Sequence, residues 1–396
     1  MVIRGRDSFS RVQEEWDHVA HKSSLAIDRF FGSSHILRAW YHTWTNPEDI
    51  FCVFHPGARE TVPSLYEGGV EGGFGLPLVR VHKKNGSIRI LSSPVDDNMW
   101  YAPVIGSANE ASGQRAAALV AQGDEWDLLI LQHVDISRAF WKSFAAYFRS
   151  RKYSVEVYPT MQIGSMTLHD RWEDYQKRLK SGFRRNLNKR EQYLIEAHGP
   201  LTVSVAERKE EVDQAFYEGF SIETMGWKGY THSAVLQNES SKRYFYELAH
   251  AAAGKEALTL AALKSGGFPV SFYYYVRQGD EAYLFKTMYD ERYSRFGVGQ
   301  LGLYKTLKAL HQRGVRILNL FGSYVPWHEH WLPTITQYSK IIIAPRRNML
   351  SLVPYRLYAH IKKYPKGYRV FTNVRKWYHV MGIMWDTFKA SIQHLR

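Results

Sequence analysis

Apolar and polar positions follow two different periods along the chain, and each period predicts a different kind of element. In residues 1–160, helix-like segments over 11–22 and 35–45 precede strand-like runs such as 50–54 and 75–81. Apolar residues at helical spacing indicate an amphipathic helix, and short apolar runs bounded by turn residues indicate strands. This part of the chain is therefore predicted to be an α+β domain.

The second half of the chain mixes helices and strands in a more regular order. Strand-like runs over 154–158 and 162–168 come first. The pattern then predicts, in order, strand 201–206, helix 209–223, helix 240–253, strands 258–264, 269–277 and 281–288, helix 300–313, strand 316–321 and strand 338–344. Three consecutive strands predict an antiparallel meander, and the turn, helix and strand that follow it frame one crevice.

The length of the chain fits two domains better than one. A usual domain has ~100–200 residues, and this chain has 396, of which 45% are hydrophobic. Such a composition is enough to bury a sizeable core and is not that of a disordered chain. We predict one domain over 1–160, a second over 161–345 and a tail over 346–396.

The single cysteine and the first residues bear on the compartment. Cys52 is the only cysteine, which excludes an internal disulfide framework and a cysteine-rich zinc site. The first residues lack the apolar core of a signal peptide, and no run approaches the ~20 apolar residues of a transmembrane helix. His328 and His330 lack the spacing of a helical zinc motif. We expect a cytoplasmic protein without a metal.

Positive charge is concentrated in the tail. The chain has a formal net charge of +14, and residues 346–396 hold eleven lysines or arginines against a single acid. Apolar residues of the tail recur at helical spacing; they are Phe371, Val374, Tyr378, Met381, Trp385 and Phe388. A basic, aromatic amphipathic helix can lie on an anionic membrane surface. It can equally dock on the second domain and leave its charges in water, and both interpretations stay open.

A second basic segment lies within a helix predicted over 171–191. Seven lysines or arginines and no acid occur between Gln176 and Arg190. The segment can hold a phosphate-bearing donor, or it can be a solvated helix face interrupted by Gly182. The sequence favours neither interpretation.

Residues 293–300, Tyr-Ser-Arg-Phe-Gly-Val-Gly-Gln, follow a predicted strand and begin a predicted helix. In this position backbone N–H groups and the helix dipole can cradle a pyrophosphate, and glycine allows its close approach. The candidate cofactor-binding residues are Arg295, Gly297, Val298, Gly299, Gln300 and Lys305.

The order of strand, Arg-Phe-Gly-Val-Gly turn, helix and strand resembles the acyl-CoA loop of the GNAT acyltransferase superfamily. Ser294 occupies the place of the usual Gln or Arg, and Arg295 is one position nearer the glycine. A second signature, Phe-Tyr-Glu-Gly-Phe (216–220) followed by Glu-Thr-Met-Gly-Trp-Lys-Gly-Tyr (223–230), resembles the Trp-Lys-Gly segment of CelD-like acyltransferases. That branch is structurally akin to FemAB peptidyltransferases.

Two further segments also fit this branch, residues 289–293 before the glycines and 318–322 after the helix. By element order the resemblance covers roughly residues 10–345. The branch often continues its last strand into Gly-Asp/Glu-x-x-Tyr-Lys, whereas this chain has Gly-Ser-Tyr-Val-Pro-Trp at 322–327.

The resemblance implies an α+β fold of two tandem GNAT-like (FemAB-like) domains, each with a mixed, mostly antiparallel sheet flanked by helices, followed by the basic tail. The second domain would hold acyl-CoA or an acyl carrier protein thioester, with the acceptor between the domains. Acyl transfer needs a base for the acceptor and a proton donor for the leaving thiolate. The candidate catalytic residues are Glu223, Asp290 and Tyr324, with His328 as another proton donor. The candidate substrate-binding residues are Trp227, Lys228, Tyr289, Asn319 and Ser323.

Glu223 and Asp290 can instead be structural partners of neighbouring cations. The implied activity is transfer of an acyl group to an amine or hydroxyl of a small molecule or saccharide, in polysaccharide or cell-envelope biosynthesis or in N-acyl amino acid synthesis. One alternative is an aminoacyl-tRNA-dependent peptidyltransferase of FemAB type, whose tRNA the two basic segments would contact; its coiled-coil arm is not evident in the sequence. Another is a non-catalytic adaptor on a membrane surface or nucleic acid.

Overall fold

The computed structural model describes residues 1–57, 72–81, 88–95, 101–123, 126–353 and 356. The side chains of Trp227 and Leu350 lie outside this description. Residues 357–396 are also outside the described part of the chain, so the predicted tail helix stays a prediction.

Strands and helices alternate along the described chain. The strands are β1 (Val2–Arg4), β2 (Ile50–His55), β3 (Phe74–Val81), β4 (Ile90–Ser92), β5 (Ile105–Gly106), β6 (Leu128–Val134), β7 (Ser154–Thr167), β8 (Leu201–Ala206), β9 (Leu258–Ser265), β10 (Phe268–Gln278), β11 (Glu281–Tyr289), β12 (Ile317–Leu320) and β13 (Thr334–Ala344). The α-helices are α1 (Gly5–Arg11), α2 (Gln13–His21), α3 (Ala26–Phe31), α4 (Ser34–Trp44), α5 (Glu110–Gln122), α6 (Ala139–Ser150), α7 (Trp172–Arg178), α8 (Ser181–His198), α9 (Val212–Thr224), α10 (Trp227–Tyr230), α11 (Glu239–Ala253) and α12 (Val298–Gln312). Short 3-10 helices are Pro47–Asp49, Lys209–Glu211, Val235–Gln237, Glu291–Phe296, Pro326–Trp331 and Arg346–Leu352.

All of these strands belong to one sheet. Its order is β1-β2-β3-β4-β6-β13-β7-β12-β11-β10-β9-β8, with β5 paired to β3. Among the described ladders, β4 with β6 and β11 with β12 are parallel, and the other neighbours are antiparallel. The prediction of an α+β fold with a mixed, mostly antiparallel sheet flanked by helices is confirmed.

Most predicted elements are found within two or three residues of their expected ends, with three differences. The strand predicted over 338–344 begins four residues earlier, at Thr334. The segments over 154–158 and 162–168 form the single strand β7. The helix predicted over 171–191 is two helices, α7 and α8, because Leu179 and Lys180 between them have extended backbone. Leu179 is 1% exposed, so the break carries an apolar side chain into the core.

The last described strand, β13, lies inside the sheet and not at its edge. β13 lies between β6 and β7 and pairs with β7 from Thr334 opposite Ser165 to Ala344 opposite Ser154. β7 runs through residue 160, the predicted domain boundary. The division at 160 and 345 stays a prediction, and below "N-terminal half" means residues 2–150 and "C-terminal half" means residues 172–320.

Helices cover both faces of the sheet because side chains of a strand alternate between its faces. Phe51 and Val53 of β2 belong to a core with α5 and α6. Cys52 belongs to a core with α2, α4, α9 and α11 that extends across both halves. On the other face of the C-terminal half, α7, α8 and α12 pack over Leu284 and Leu318.

A buried polar network holds the N-terminal half together near the sheet. Asp28 in α3 is 1% exposed and pairs with Arg138, whose Nη2 lies 2.6 Å from its Oδ2. The other carboxylate oxygen accepts hydrogen bonds from the Tyr101 hydroxyl (2.8 Å) and the Val104 N–H (3.0 Å). Burial raises the pKa of Asp28, and the charge of Arg138 opposes that shift. The network ties α3 to the start of α6, 110 residues away.

Candidate active site

The predicted crevice lies where β11 and β12 separate. β12 pairs with only the first three residues of β11, and the last pair is Tyr283 opposite Asn319. β11 continues to Tyr289. Within the described ladders, residues 284–289 therefore pair with β10 on one side and with no strand on the other.

An extra residue bends β11 at this point. Tyr274 of β10 is opposite Lys286, but the next residue, Tyr275, is opposite Leu284. Phe285 is left without a partner in the register, which defines a β-bulge. Bulges bend a strand and increase its local twist, so β11 is bent close to the point where its pairing with β12 ends.

The glycine turn, residues 297–299, lies at the end of this bent strand. Asp290 caps the 3-10 helix Glu291–Phe296, and Gly297 then takes the left-handed conformation with φ +61°. α12 begins at Val298, and the Gln300 and Leu301 N–H groups donate to the Gly297 carbonyl at 3.0 Å. The first N–H groups of a helix have no acceptor within the helix, so the turn presents amide donors at the mouth of the crevice.

Arg190 of α8 is the cation at the glycine turn. A side chain at Gly297 would collide with the Arg190 guanidinium, so the two residues are in close contact. Sequence analysis placed Arg190 in the second basic segment but not at this turn. The contact is between residues far apart in sequence, and helical periodicity gives no signal for it.

Arg295 and Lys305, the two cations predicted to bind the cofactor at the turn, contact other protein groups. Arg295 lies over the ring of Phe296, with its Cζ 4.6 Å from the ring centroid. Lys305 forms an ion pair with Glu191, whose Oε1 lies 2.5 Å from its Nζ. Of the two, Arg295 is exposed and remains the more available for a ligand.

The two signatures that carried the family resemblance meet in space. A Cβ on Gly226 would lie 3.2 Å from Glu291 Oε1, and Arg292 Nη2 lies 3.5 Å from Met225 Sδ. The end of α9 and the start of α10 therefore lie beside the segment that leads into the glycine turn. Trp227 is the first residue of α10, but its side chain lies outside the described part of the structure.

Glu223 is buried and fully engaged by protein groups. It is 5% exposed, its Oε1 accepts a hydrogen bond from Lys228 Nζ, and its Oε2 accepts one from the Val235 N–H at 2.8 Å. Both oxygens thus hold the loop after α9. The predicted substrate-binding residue Lys228 is the partner of the predicted base.

Asp290 is likewise engaged, with Arg292. Its Oδ2 lies 2.6 Å from Arg292 Nη2, and its Oδ1 accepts from the Arg292 N–H at 3.0 Å. Burial alone would raise the pKa of Asp290, but the hydrogen bonds and charge of Arg292 outweigh it, and the pKa lies below its usual value. A carboxylate held in its charged form is a weak base, and this geometry makes Asp290 the cap of the turn.

The segment after β12 contains Ser323 and Tyr324 and lies beside β7. The Tyr324 N–H donates to the Gln162 carbonyl of β7 at 2.7 Å, and its ring lies 5.5 Å from that of His328. Burial and the charge of Glu329 raise the pKa of Tyr324, which makes its hydroxyl a weaker acid. Ser323 is exposed, which leaves it accessible to a ligand.

Tyr289 and Asn319, two further predicted substrate-binding residues, lie at opposite ends of the gap between β11 and β12. Tyr289 is 45% exposed, and its Cδ1 would lie 3.2 Å from a Cβ on Gly299, so it borders the glycine turn. Asn319 donates to Glu281 Oε2 at 3.2 Å, where β11 and β12 are still paired. The structure therefore brings Tyr289 together with the turn residues and leaves Asn319 at the closed end of the gap.

Open cavities lie in other parts of the molecule. One of about 460 Å³ borders the turn before α5 and is lined by Lys22, Gly73 and Gly106, among others. Another of about 320 Å³ lies between α1, α4 and α11. In the described residues no group of three or more His, Cys, Asp or Glu side chains is arranged to hold a metal ion.

Comparison with known families identifies the domain that carries the turn. Residues 181–329 match the family model described as Acetyltransferase (GNAT) domain, so this segment is similar to GNAT-type acetyltransferase domains. No curated protein matches the sequence. The matched segment includes the separated strands, the glycine turn and the Trp-Lys-Gly segment.

Solved structures share the fold at low sequence identity. FemX is 10% identical, with 86% of this chain and 98% of that chain covered and a TM-score of 0.54. A protein from Agrobacterium fabrum, named as the C-terminal DUF2156 domain of a lysylphosphatidylglycerol synthetase, is 12% identical, with coverage of 87% and 95% and a TM-score of 0.52. A conserved protein of unknown function from Bacteroides thetaiotaomicron is 10% identical, with coverage of 84% and 97% and a TM-score of 0.51.

These likenesses show the fold and extend over most of both chains. FemX is thus one architectural relative of this protein. None of the helices in the described residues has the length and apolar character needed to cross a bilayer.

Proposed function

We propose that this protein is an acyltransferase that moves an acyl group from acyl-CoA, or from an acyl carrier protein thioester, to an amine or hydroxyl acceptor. The observation that carries the proposal is the glycine turn at the open end of the β11–β12 gap, with Arg190 against Gly297. A helix N-terminus and a guanidinium together favour a phosphate group. The family model covering residues 181–329 supports the same donor class.

In this proposal the donor's phosphates bind at Gly297–Gln300, with Arg295 and Arg190 beside them. The extended arm of the donor then runs along residues 284–289 of β11, whose free edge can pair with amide groups as an added strand would. The thioester carbonyl arrives near the bulge at Phe285. The acceptor attacks this carbonyl, the tetrahedral oxyanion collapses, and the C–S bond breaks.

Tyr324 is the proposed proton donor to the leaving thiolate, because a tyrosine hydroxyl, with its usual pKa of about 10, carries a proton at neutral pH. Glu223 and Asp290 stay proposed catalytic residues, although each is engaged by a cation. A base must be free to accept a proton, so Glu223 could act only if Lys228 moved to the acceptor. Trp227, Lys228, Tyr289, Asn319 and Ser323 are the proposed substrate contacts.

The finer assignment is a CelD-like transferase acting on a saccharide or amino compound in envelope biosynthesis, near an anionic membrane surface through residues 346–396. The contact between the Trp-Lys-Gly segment and the turn at Glu291 and Arg292 supports it. A second candidate is an aminoacyl-tRNA-dependent transferase. The observation that favours it is α8, which buries only Leu187 and Leu194 and exposes Arg185 and Lys189.

The test is thermal stabilisation of the full chain by acetyl-CoA, longer acyl-CoAs, acyl carrier protein and aminoacyl-tRNA. A ligand that binds only the native state raises apparent stability by RT ln(1 + [L]/Kd). We expect a shift with a thioester that disappears in Gly299→Trp. Gly182→Trp is the matched control, since a Cβ at Gly182 has no atom within 4 Å.

A shift with aminoacyl-tRNA alone, with steep salt dependence, would establish the second candidate instead. No shift with any donor would contradict both and leave the non-catalytic adaptor.

A further inference from the structure

Three aromatic rings meet at the point where β11 and β12 separate. Phe285 and Phe321 each lie two residues beyond the last paired residues, Tyr283 and Asn319, and their ring centroids are 5.2 Å apart. The ring of Phe31 stacks on both, at 5.4 Å from Phe285 and 5.0 Å from Phe321. The gap is therefore filled on this face of the sheet by a stack of rings.

Phe31 comes from the other half of the molecule. It is the last residue of α3, which lies between β1 and β2 in the chain, and it is fully buried. Phe285 and Phe321 are also buried, at 7% and 9% exposure. The N-terminal half thus closes a gap that belongs to the C-terminal half.

The position of Phe31 is fixed from several sides. The next residue, Gly32, accepts a hydrogen bond from Trp16 Nε1 at 2.7 Å, and Asp28, one turn earlier, belongs to the buried network with Arg138. Tyr101 packs behind the ring at 6.0 Å. Because protein interiors are close-packed, a ring held in this way acts as a rigid wall.

The wall lies where the proposed function brings the acyl group. Phe285 is five residues before Asp290, about 17 Å along an extended strand. A donor whose phosphates bind at the glycine turn and whose arm follows β11 therefore delivers its thioester to the ring stack. The surroundings are apolar, so they favour an uncharged acyl group.

We propose that Phe31, together with Phe285 and Phe321, is the end wall of the acyl site and restricts the donor to short, uncharged acyl chains. This inference rests on the proposed acyltransferase function. It gives the N-terminal half a specific part in donor selection, since removing Phe31 opens the gap toward α3.

The test measures binding of acetyl-, butanoyl-, octanoyl- and dodecanoyl-CoA to the full chain by calorimetry. We expect the native protein to bind acetyl- or butanoyl-CoA at least tenfold more tightly than dodecanoyl-CoA. Phe31→Ala should reduce this preference for short acyl chains over dodecanoyl-CoA at least tenfold. The affinity for acetyl-CoA should fall no more than threefold. Phe31→Leu, which removes less volume, should extend the preference to intermediate chains and serves if the alanine variant does not fold.

Phe144→Ala and Phe144→Leu are the matched controls. Phe144 is equally buried but belongs to the core with α5 and α6, so these variants lose packing without opening the gap and should keep the native ratio. Equal binding of long and short chains by the native protein, or an unchanged ratio in both Phe31 variants, would overturn the inference while leaving the acyltransferase proposal intact. If no acyl-CoA binds the native protein, the proposed function fails and the inference fails with it.

Discussion

The two halves of the molecule each contain a strand–helix–strand unit, but the surroundings of the two units differ. β4, α5 and β6 form the unit of the N-terminal half, and β11, α12 and β12 form that of the C-terminal half. In each, the two strands are parallel neighbours, and a glycine with positive φ precedes the helix, Gly106 at +76° and Gly297 at +61°.

The units differ in what surrounds the glycine. The Gly106 N–H donates to Ser23 Oγ at 2.7 Å, and the next N–H, of Ser107, donates to the Gly73 carbonyl at 2.8 Å. Asn109 then caps α5 by accepting from the Ser112 N–H. In the C-terminal unit, Arg190 contacts the glycine instead.

Strand length separates the units further. β4 has three residues, all paired with β6, whereas β11 has nine residues, of which three pair with β12. A shared topology therefore does not give a shared function. Two features make the C-terminal unit the proposed donor site: the part of β11 that extends beyond its pairing with β12, and Arg190 beside the glycine turn. The N-terminal unit is proposed to be a scaffold.

The largest expected effect is a loss of stability when the buried polar network of the N-terminal half is disrupted. Asp28→Ala removes the partner of Arg138 and leaves a buried charge uncompensated, which should lower the free energy of unfolding by about 3–5 kcal/mol. Denaturant unfolding measures this loss. The control Asp174→Ala removes a surface pair with Lys177, at 3.7 Å, and should cost less than about 1 kcal/mol.

The double variant Asp28→Leu/Arg138→Met sharpens the result, because it removes both charges and should be less damaging than Asp28→Ala. Donor affinity of the folded Asp28→Ala protein should stay within a few-fold of the native value. Loss of donor binding without loss of stability would mean that Asp28 takes part in donor binding directly.

A smaller effect is expected at the glycine turn. Arg190→Gln removes a cation from the proposed phosphate site and should weaken donor binding about tenfold, since a charge-assisted hydrogen bond contributes about 1.5–3 kcal/mol. The control Arg185→Gln changes an exposed cation of the same helix and should have little effect. Equal losses in the two variants would indicate unspecific attraction along α8 in place of a contact at the turn.

The smallest effect is a pH dependence of stability that arises from His328, in the 3-10 helix Pro326–Trp331 between β12 and β13. Burial lowers the pKa of His328 to about 4, below the usual ~6.5 of an unfolded chain. Between pH ~6.5 and pH ~4, His328 therefore binds a proton in the unfolded state but stays unprotonated in the native state. The contribution of His328 to the free energy of unfolding is complete above pH ~6.5 and decreases as the pH falls toward ~4.

His328→Gln should reduce this acid loss by on the order of 1 kcal/mol in denaturant unfolding at pH 7 and pH 4.5. The exposed neighbour His330, changed to Gln, is the control and should leave the loss unchanged. An identical pH profile in all three proteins would contradict the burial of His328.

The C-terminal unit was largely predictable from the sequence. The run from β9 to β12 was predicted because its strands are short apolar segments and because a glycine-rich turn separates β11 from α12. The same residues carried the resemblance to GNAT enzymes. These signals come from residues that are close together in the chain, so they can be recognised from the sequence alone.

Contacts between distant residues were not predictable in this way. The Asp28–Arg138 pair spans 110 residues, and neither residue stands out in a periodic pattern. Insertion of β13 between β6 and β7 depends on backbone pairing, which apolar periodicity does not specify. The roles of Glu223 and Asp290 were left open between base and structural partner, and the alternative of ion pairing with neighbouring cations describes the contacts that both make.

Hydrogen–deuterium exchange of the full chain, with and without acetyl-CoA, tests most directly whether the C-terminal unit is the donor site. The account predicts that acetyl-CoA slows amide exchange in residues 284–301 and leaves residues 105–112 unchanged. Protection of residues 105–112, beside the cavity of about 460 Å³ at the other glycine, or no protection in either segment, would contradict it.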